Sequence, residues 1–230
     1  MGQVRRLLTA LVLTLLVLVA AALVADRVML ARAEARVVDQ LDAYLDVSGR
    51  PEVTIAGFPF LTQLLAGELG RVDATAPAAG SEGVELRDVE AQARRVTLEE
   101  PARVGELEVR GTLDESALQR LVDDQSELDL TLVARADGVV AATEVLGLEV
   151  ALTVDPVVVG ESLRLEVRTV TLGGVEVGAA ELAPLLGEDQ LTVDLVVPDL
   201  PLGLRLASVA AQDGGVRLTL TGSDVVLSER

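Results

Sequence analysis

The sequence has no cysteine, histidine, lysine or tryptophan, and aromatic residues make up only 1% of its 230 residues. It therefore lacks the groups needed for Ser-His-Asp and Cys-His nucleophile systems, for His- or Cys-based zinc sites and for Schiff bases. The fold cannot depend on disulfides and must be held by its apolar core. Catalysis would have to use carboxylates alone, so we expect that the protein is not an enzyme and uses no cofactor.

Positive charge is also scarce, because 19 arginines stand against 37 acidic residues and the net charge is −18. This acidity argues against a nucleic-acid partner and against long-range attraction to an anionic membrane surface. Half of the residues are hydrophobic and the mean hydropathy is +0.44. We interpret the negative charge as a means of keeping an unusually apolar chain soluble.

An uncharged run, LLTALVLTLLVLVAAALVA, covers Leu7–Ala25. As a helix with a rise of ~1.5 Å per residue it reaches ~28 Å, close to the thickness of a bilayer's hydrocarbon core. Arg5 and Arg6 precede it, so the positive-inside rule places the N-terminus in the cytoplasm and the rest outside. Residues 1–25 are predicted to be a transmembrane anchor, with a cleaved signal peptide as the alternative. Either way, residues 26–230 form one exported domain, held at the cell membrane or released into a periplasm-like space.

The stretch VTIAGFPFLTQLLAG, Val53–Gly67, contains both phenylalanines of the chain and no charged residue. Its first residues alternate as a short strand, and Pro59 suits the first turn of a helix that Gly67 would end. This helix has only about two turns, so it must bury its apolar face against another element. The residues predicted to share that face are Phe60, Leu61, Leu64 and Leu65.

Helical spacing of apolar residues predicts a long amphipathic helix from about Arg27 to Asp46 and a short one over Asp114–Asp124. From Val72 onward most segments alternate with a period of two, which is typical of antiparallel strands with one dry face. Phase slips at Asp88 and at Arg94-Arg95 predict β-bulges. We predict an α+β fold in which a long N-terminal helix packs on an extended, curved antiparallel sheet with two or three short helices.

Acidic pairs are the only groups that offer acid–base chemistry. Glycoside hydrolysis needs two carboxylates facing each other at about 5–10 Å, and aromatic platforms for sugar rings are nearly absent. No D-x-[DN]-x-[DN]-G calcium loop is present, so we assign no metal. Solvated turns explain the pairs, which are Glu99-Glu100, Asp123-Asp124 and Glu188-Asp189.

The apolar residues are mainly leucine and valine, so any cavity would be aliphatic and suited to an acyl chain. Burial of about fifteen methylenes at ~0.8 kcal/mol each is worth ~12 kcal/mol before costs. Composition does not distinguish a hollow interior from a filled one, and both remain open.

Two segments resemble a known family: VTIAGFPFLTQLLAGELGRVDATA and LPLGLRLASVAAQDGGVRLTLTGSDVVL. With the N-terminal run and the helix after it, they are similar to the LmeA-like phospholipid-binding proteins of actinobacteria over essentially the whole chain. The resemblance implies an exported, membrane-associated protein of the cell envelope that binds phospholipid. It also implies a fold like tubular lipid-binding domains, in which a curved sheet wraps a long helix around an acyl-chain cavity. The family's link to lipomannan elongation implies envelope glycolipid-synthesis enzymes as partners.

With this resemblance, the corner between the short strand and the short helix becomes the first candidate for lipid contact, and an ordinary core corner is the alternative. The candidate residues there are Phe58, Phe60, Leu61, Leu64 and Leu65. Inner-facing strand positions form a second set, which comprises Leu148, Val150, Leu165, Leu204 and Leu218. For contact with a phosphate headgroup the candidates are Arg94 and Arg95.

Three functions follow from these observations. The first is an exported phospholipid-binding protein that holds acyl chains or transfers lipid. The second is a non-enzymatic envelope scaffold with a solid core and a protein partner. The third is a carboxylate-based hydrolase, for which the sequence offers only the acidic pairs.

Overall fold

The computed structural model describes residues 2–44, 46–81, 84–123, 129–145, 147–160, 162–187, 191–196 and 200–227. In chain order its helices and strands are α1 (Gly2–Tyr44), β1 (Asp46–Ser48), β2 (Glu52–Ala56), α2 (Phe60–Ala66), β3 (Glu68–Ser81), β4 (Val84–Thr97), β5 (Ala102–Asp114), α3 (Glu115–Asp123), β6 (Thr131–Arg135), β7 (Gly138–Val145), β8 (Leu148–Val159), β9 (Ser162–Leu172), β10 (Val175–Gly178), α4 (Ala179–Leu186), β11 (Thr192–Val196), β12 (Arg205–Gln212) and β13 (Gly215–Leu227).

The N-terminal helix α1 is continuous from the apolar run into the amphipathic segment. The predicted helix from about Arg27 is present as the second part of α1, because neither glycine nor proline occurs between Leu7 and Tyr44 to separate it from the apolar run. The helix also ends before Asp46, since Asp46–Ser48 pairs with β3 as a short edge strand. The part of α1 that follows the apolar run packs against β1, β2 and α2.

The strands form two antiparallel sheets. The first has the order β1-β3-β4-β5-β13-β12, with β2 paired to β3. The second has the order β10-β9-β8-β7-β6, with β11 paired to β9. The α+β class is confirmed, but two sheets replace the single sheet that the alternation predicted.

The first sheet has two distinct ends. At the near end lie α2, the turn between β4 and β5, and the last residues of β13. There the N–H of Leu98 donates to the carbonyl of Gly67 at 2.9 Å, and Leu227 pairs with Ala102. At the far end lie α3 and the turn between β12 and β13. The second sheet joins this far end.

A cluster of buried residues joins the two sheets at the tip of the β12–β13 hairpin. The N–H of Gly214 donates to the carbonyl of Ala134 at 3.1 Å, and the N–H of Ala136 donates to Asp213 Oδ1 at 3.0 Å. Around these bonds the apolar faces of both sheets meet. The buried members of this junction cluster are Leu132, Ala134, Val139 and Val216, and the partly buried residues packed on them include Ala141, Val154, Val209 and Leu218.

Backbone irregularities bend the first sheet where the sequence changes phase. Asp88 and Arg95 have φ angles of 49° and 53°, and the register between β4 and β5 shifts between Arg87 and Glu90. The bulge predicted at Asp88 is confirmed, whereas at Arg94-Arg95 the register with β5 is unbroken and only the backbone of Arg95 departs, with its positive φ.

The second irregularity crosses several strands. The pairing of β4, β5 and β13 brings Arg95, Gly105 and Asp224 side by side, and Asp224 also has a positive φ of 51°. At these three residues the alternation of buried and exposed side chains along the strands changes phase. On β5, for example, Val104 is buried whereas Glu106, two residues further along, is exposed. The near end of the sheet therefore has its own apolar interior.

Helix α3 starts with a side-chain cap. Asp114 Oδ1 accepts hydrogen bonds from the N–H of Ala117 and from Ser116 Oγ, both at 2.8 Å. The hydrogen bond from Ala117 is the main cause that lowers the pKa of the Asp114 carboxyl, with further contributions from Ser116 and Arg87 that outweigh the effect of burial. The predicted helix over Asp114–Asp124 is confirmed as Glu115–Asp123.

Candidate functional site

The first half of α1 exposes its apolar side chains. The segment Ala10–Val38 has a window with a mean hydropathy of 2.3, of which only 6% is buried by the rest of the protein. By length and composition this helix can cross a membrane, and a signal sequence near an N-terminus has the same properties. The apolar run is thus not the core of the domain.

Directly after this run, α1 is tied to the corner between β2 and α2. Asp26 is only 2% exposed, and its Oδ1 accepts a hydrogen bond from the N–H of Leu61 at 2.8 Å. The guanidinium carbon of Arg27 lies 5.1 Å from the centroid of the Phe58 ring, within cation–π distance. Two turns later Glu34 Oε1 accepts from the N–H of Ile55 at 2.9 Å. These contacts fix the corner to the point where the apolar run ends.

The predicted helix in the corner is present, and its boundaries match the sequence signals. Pro59 precedes its first residue, and Gly67 ends it in the left-handed region with φ 72°. The side chain of Gln63 bridges the corner, donating to the carbonyl of Ala56 at 3.1 Å and accepting from the N–H of Gly70 at 2.9 Å.

The apolar residues of the corner divide between core and surface. Phe60 is 3% exposed and packs with Ile55 and Leu69, which corresponds to the alternative of a core corner. Phe58, Leu64 and Leu65 are 57%, 39% and 88% exposed, while Leu61 is partly buried. The predicted common face fails because five residues of helix turn Leu65 about 140° away from Phe60.

The corner core continues as an aliphatic strip along the first sheet. Val72, Ala93 and Leu107 pair across β3, β4 and β5, and paired residues of antiparallel strands share a face. Val109 and Leu220 continue this face toward the junction cluster. All five side chains are only partly buried, so this strip remains partly open to solvent.

The second sheet has a corresponding aliphatic face. Pairs across β8 and β9 include Val150 with Leu172 and Leu152 with Val170. From residue 150 to residue 158, every residue of β8 is partly buried. The face meets the first sheet's strip in the junction cluster, so the two aliphatic surfaces are continuous.

The second set of predicted lipid contacts falls at different places on these surfaces. Val150 and Leu165 lie on the half-buried face of the second sheet, where Leu165 pairs with Pro156. Leu148 is 53% exposed at its edge. By contrast, Leu218 packs against the junction cluster and Leu204 is buried over Gly222, so these two belong to the core.

The two candidate headgroup residues lie near each other on the polar side of the first sheet. Arg94 lines a depression of about 570 Å³ together with Glu106, Glu108 and Arg205. Its guanidinium donates to Gln92 Oε1 at 2.9 and 3.1 Å, and Arg95 donates to Glu106 Oε1 at 3.0 Å. A phosphate group would compete with these acceptors, and the polar lining does not suit an acyl chain.

Of the three acidic pairs, only Glu99-Glu100 lies wholly within the described residues. Glu99 and Glu100 are exposed in the turn between β4 and β5. The other two pairs extend beyond the described residues, at Asp124 and at Glu188-Asp189. Within the described ranges no group of three or more metal-binding side chains comes together.

The sequence analysis missed the three charged residues of α1 that hold the corner: Asp26, Arg27 and Glu34. Their signal was present, because charged residues that directly follow an apolar run must find polar partners or face solvent. It also missed the strip on the first sheet, although the alternation around Leu107 and Val109 contained it.

These features define a class: an α+β protein in which an apolar N-terminal helix leads into two open antiparallel sheets with continuous aliphatic faces. The chain belongs to the LmeA-like phospholipid-binding family, whose model matches residues 24–221. This membership confirms the family resemblance of the sequence and supports phospholipid binding. Comparisons with curated proteins and with solved structures found no match.

Proposed function

We propose that the protein is an exported, membrane-anchored phospholipid-binding protein, and that its lipid's acyl chains lie along the joined aliphatic faces of the two sheets. The residues in contact with the chains would be those that are apolar, paired across strands and only partly buried. On the second sheet they are Val150, Leu152, Leu165 and Val170, with the exposed Leu148 and Leu172 at the edge.

The observation that supports this proposal most is the half-buried state of a continuous aliphatic surface. A solid core would bury such residues, whereas the strip through Leu107 and Val109 and the face around Leu152 stay partly open. An acyl chain supplies apolar contact without hydrogen-bonding demands, at about 0.8 kcal/mol per buried methylene. Because the sheets are not closed, the site is an open groove and not the tube that the resemblance implied.

Helix α1 supports the proposed anchor and the proposed sidedness of the domain. Its exposed apolar turns suit a lipid environment, and Arg5 and Arg6 before them favour a cytoplasmic N-terminus. The sheets would then stand on the extracytoplasmic side of the cell membrane. An uncleaved α1 is also consistent with the fold, because Asp26 and Glu34 of this helix accept hydrogen bonds from the β2–α2 corner.

The role would be non-enzymatic. Glu106 and Glu108, which line the depression on the first sheet, are paired with Arg95 and Arg110, and the chain has no histidine, cysteine or lysine for nucleophilic catalysis. Binding of phospholipid in a groove needs none of these groups. Envelope glycolipid-synthesis enzymes would be consumers or recipients of the bound lipid.

A pair of single-tryptophan variants tests the groove, because the chain has no tryptophan of its own. Leu165→Trp places an indole on the aliphatic face, and Glu166→Trp places one at the neighbouring position on the opposite, exposed face of β9. The full chain would be reconstituted in nanodiscs of phosphatidylcholine brominated along its acyl chains. Bromine quenches tryptophan fluorescence only at close contact.

We expect brominated lipid to reduce the fluorescence of the Leu165→Trp variant at least two-fold and to leave that of the Glu166→Trp variant nearly unchanged. Equal quenching of the two variants, or none in either, would contradict the groove. In that case a protein that binds a protein partner through a solid core would be the better account.

A further inference from the structure

Besides exposed apolar residues of the second sheet such as Leu148, Leu172 and Val175, a group of exposed apolar side chains lies at the near end of the first sheet. They come from the corner, from the turn after β4 and from the last residues of β13, which the pairing of the strands brings to the same end. We call these residues the near-end belt: Phe58, Leu64, Leu65, Leu98, Val226 and Leu227.

The near-end belt lies level with the point where the apolar run of α1 ends. The run stops at Ala25, and the next two residues contact the corner directly. Asp26 binds the N–H of Leu61 at 2.8 Å, and the Arg27 guanidinium lies over the ring of Phe58 at 5.1 Å. A membrane that holds the apolar run would therefore have its surface at the belt.

The charges around the belt fit the surface of a bilayer. Arg27 is exposed where lipid phosphates would lie, while the Asp26 carboxylate is buried and does not face the membrane. Glu99 and Glu100 follow Leu98 in the same turn. This mixture of charges, in a chain of net charge −18, suits a zwitterionic surface better than a strongly anionic one.

We propose that the near-end belt inserts into the outer leaflet of the membrane and so holds the first sheet upright on the bilayer. This inference rests on the proposed function in that it needs α1 as a retained anchor, and it adds a second, fixed contact with the lipid surface. Thirteen residues of β5 at ~3.3 Å each span about 40 Å, which is how far the sheet would extend from the membrane. The second sheet would then lie away from the bilayer, and the aliphatic strip would lead from the membrane surface toward it.

Single-tryptophan variants of the full chain test this orientation in nanodiscs of phosphatidylcholine brominated near the glycerol end of the acyl chains. Leu65→Trp and Leu98→Trp probe two parts of the belt that come from different elements. Glu85→Trp is the matched control, because Glu85 is exposed near the opposite end of β4 from Leu98. All three positions are exposed, so the substitutions leave the core unchanged.

We expect brominated lipid to lower the fluorescence of the two belt variants at least two-fold and that of the Glu85→Trp variant by less than a tenth. The blue shift that accompanies insertion should likewise occur only in the belt variants. Quenching at position 85 equal to that at positions 65 and 98, or no quenching at the two belt positions, would overturn the proposal. If Leu165→Trp is still quenched in that case, lipid binding in the groove stands and only the docking fails.

Discussion

The carboxylate of Asp26 and the backbone N–H of Leu61 are joined by a hydrogen bond of 2.8 Å across 35 residues of sequence. The bond links the end of the apolar run to the first turn of α2. Because the donor is one of the orphan N–H groups of a helix start, Asp26 serves as its cap from a distant helix. The other carboxylate oxygen is buried without a partner among the described residues. This residue therefore sets the position of the corner relative to α1.

Replacement of Asp26 by leucine should release the corner. The N–H of Leu61 would lose its acceptor, and loss of a capping interaction costs about 1 kcal/mol. Hydrogen–deuterium exchange of the segment from residue 58 to residue 66 should speed up about five-fold in the full chain. Asp26→Asn is the control, because the amide oxygen still accepts the bond. Equal exchange in the wild type and in Asp26→Leu would show that the bond does not hold the corner.

A charge placed in the aliphatic groove should expel the acyl chain. Val170 pairs with Leu152 on the aliphatic face, and Thr171 pairs with Ala151 on the opposite one. In the Leu165→Trp background, Val170→Glu should abolish quenching by brominated lipid, since an ionised carboxylate is not tolerated beside methylenes. Thr171→Glu should retain it. If both variants retain quenching, the lipid that reaches position 165 does not lie on this face.

The pairing of β13 with β5 should be sensitive to a methyl group at Gly215. A Cβ on this residue would stand 2.4 Å from the carbonyl oxygen of Leu113, a backbone atom that cannot move aside. Gly215→Ala should therefore lower the free energy of unfolding by about 1–3 kcal/mol. Thermal unfolding of the full chain in detergent, followed by circular dichroism, measures the loss.

The neighbouring Gly214 is the control for this prediction. Gly214 has φ 81°, a conformation that Asn tolerates, and a Cβ added there would meet no atom within 4 Å. Gly214→Asn should therefore change the free energy of unfolding little. Comparable losses in Gly215→Ala and Gly214→Asn would mean that the hairpin tip tolerates no change of any kind, and the specific clash would not be the cause.

The cap of α3 should make stability depend on pH. The pKa of Asp114 is lower in the folded protein than in the unfolded chain, chiefly because its carboxylate accepts the N–H of Ala117. The stability that the ionised Asp114 contributes is thus fully present above the ordinary aspartate pKa of about 4. It is lost as the pH falls through the lower pKa that Asp114 has in the folded protein. Asp114→Asn keeps a capping oxygen but does not titrate. The stability advantage of the wild type over this variant should therefore shrink on acidification, as unfolding at pH 7 and at pH 3 would measure. An advantage that grows at pH 3 would contradict the assignment.

Local features of the fold could be predicted from the sequence because their causes are local. Pro59 and Gly67 bound α2 through their own backbone preferences. The bulge at Asp88 follows from a change of phase that any folded arrangement of these strands must accommodate. Helix α3 could be predicted for the same reason, because the side-chain carboxylate of Asp114 caps the start of this helix wherever the helix lies in the fold.

Features that depend on distant contacts could not be predicted. Phe60 is buried and Phe58 exposed because α1 binds the corner from one side, through a residue 35 positions before Leu61. The division into two sheets depends on the pairing of β5 with the distant β13 and not with β6, and no periodicity within either strand encodes this choice. Alternation showed that β8 has a dry face, but only the partner strands determine whether that face is filled or left half open.

The central claim is that acyl chains occupy the joined aliphatic faces, and site-specific photocrosslinking in native membranes tests it most directly. A diazirine amino acid would replace Leu152 in the full chain, and Thr153, which pairs with residues of the opposite face, would be its control. After illumination, intact-mass spectrometry would detect any covalently attached lipid. We expect a phospholipid adduct at position 152 and none at position 153. The absence of an adduct at 152, or equal labelling of both positions, would contradict the account.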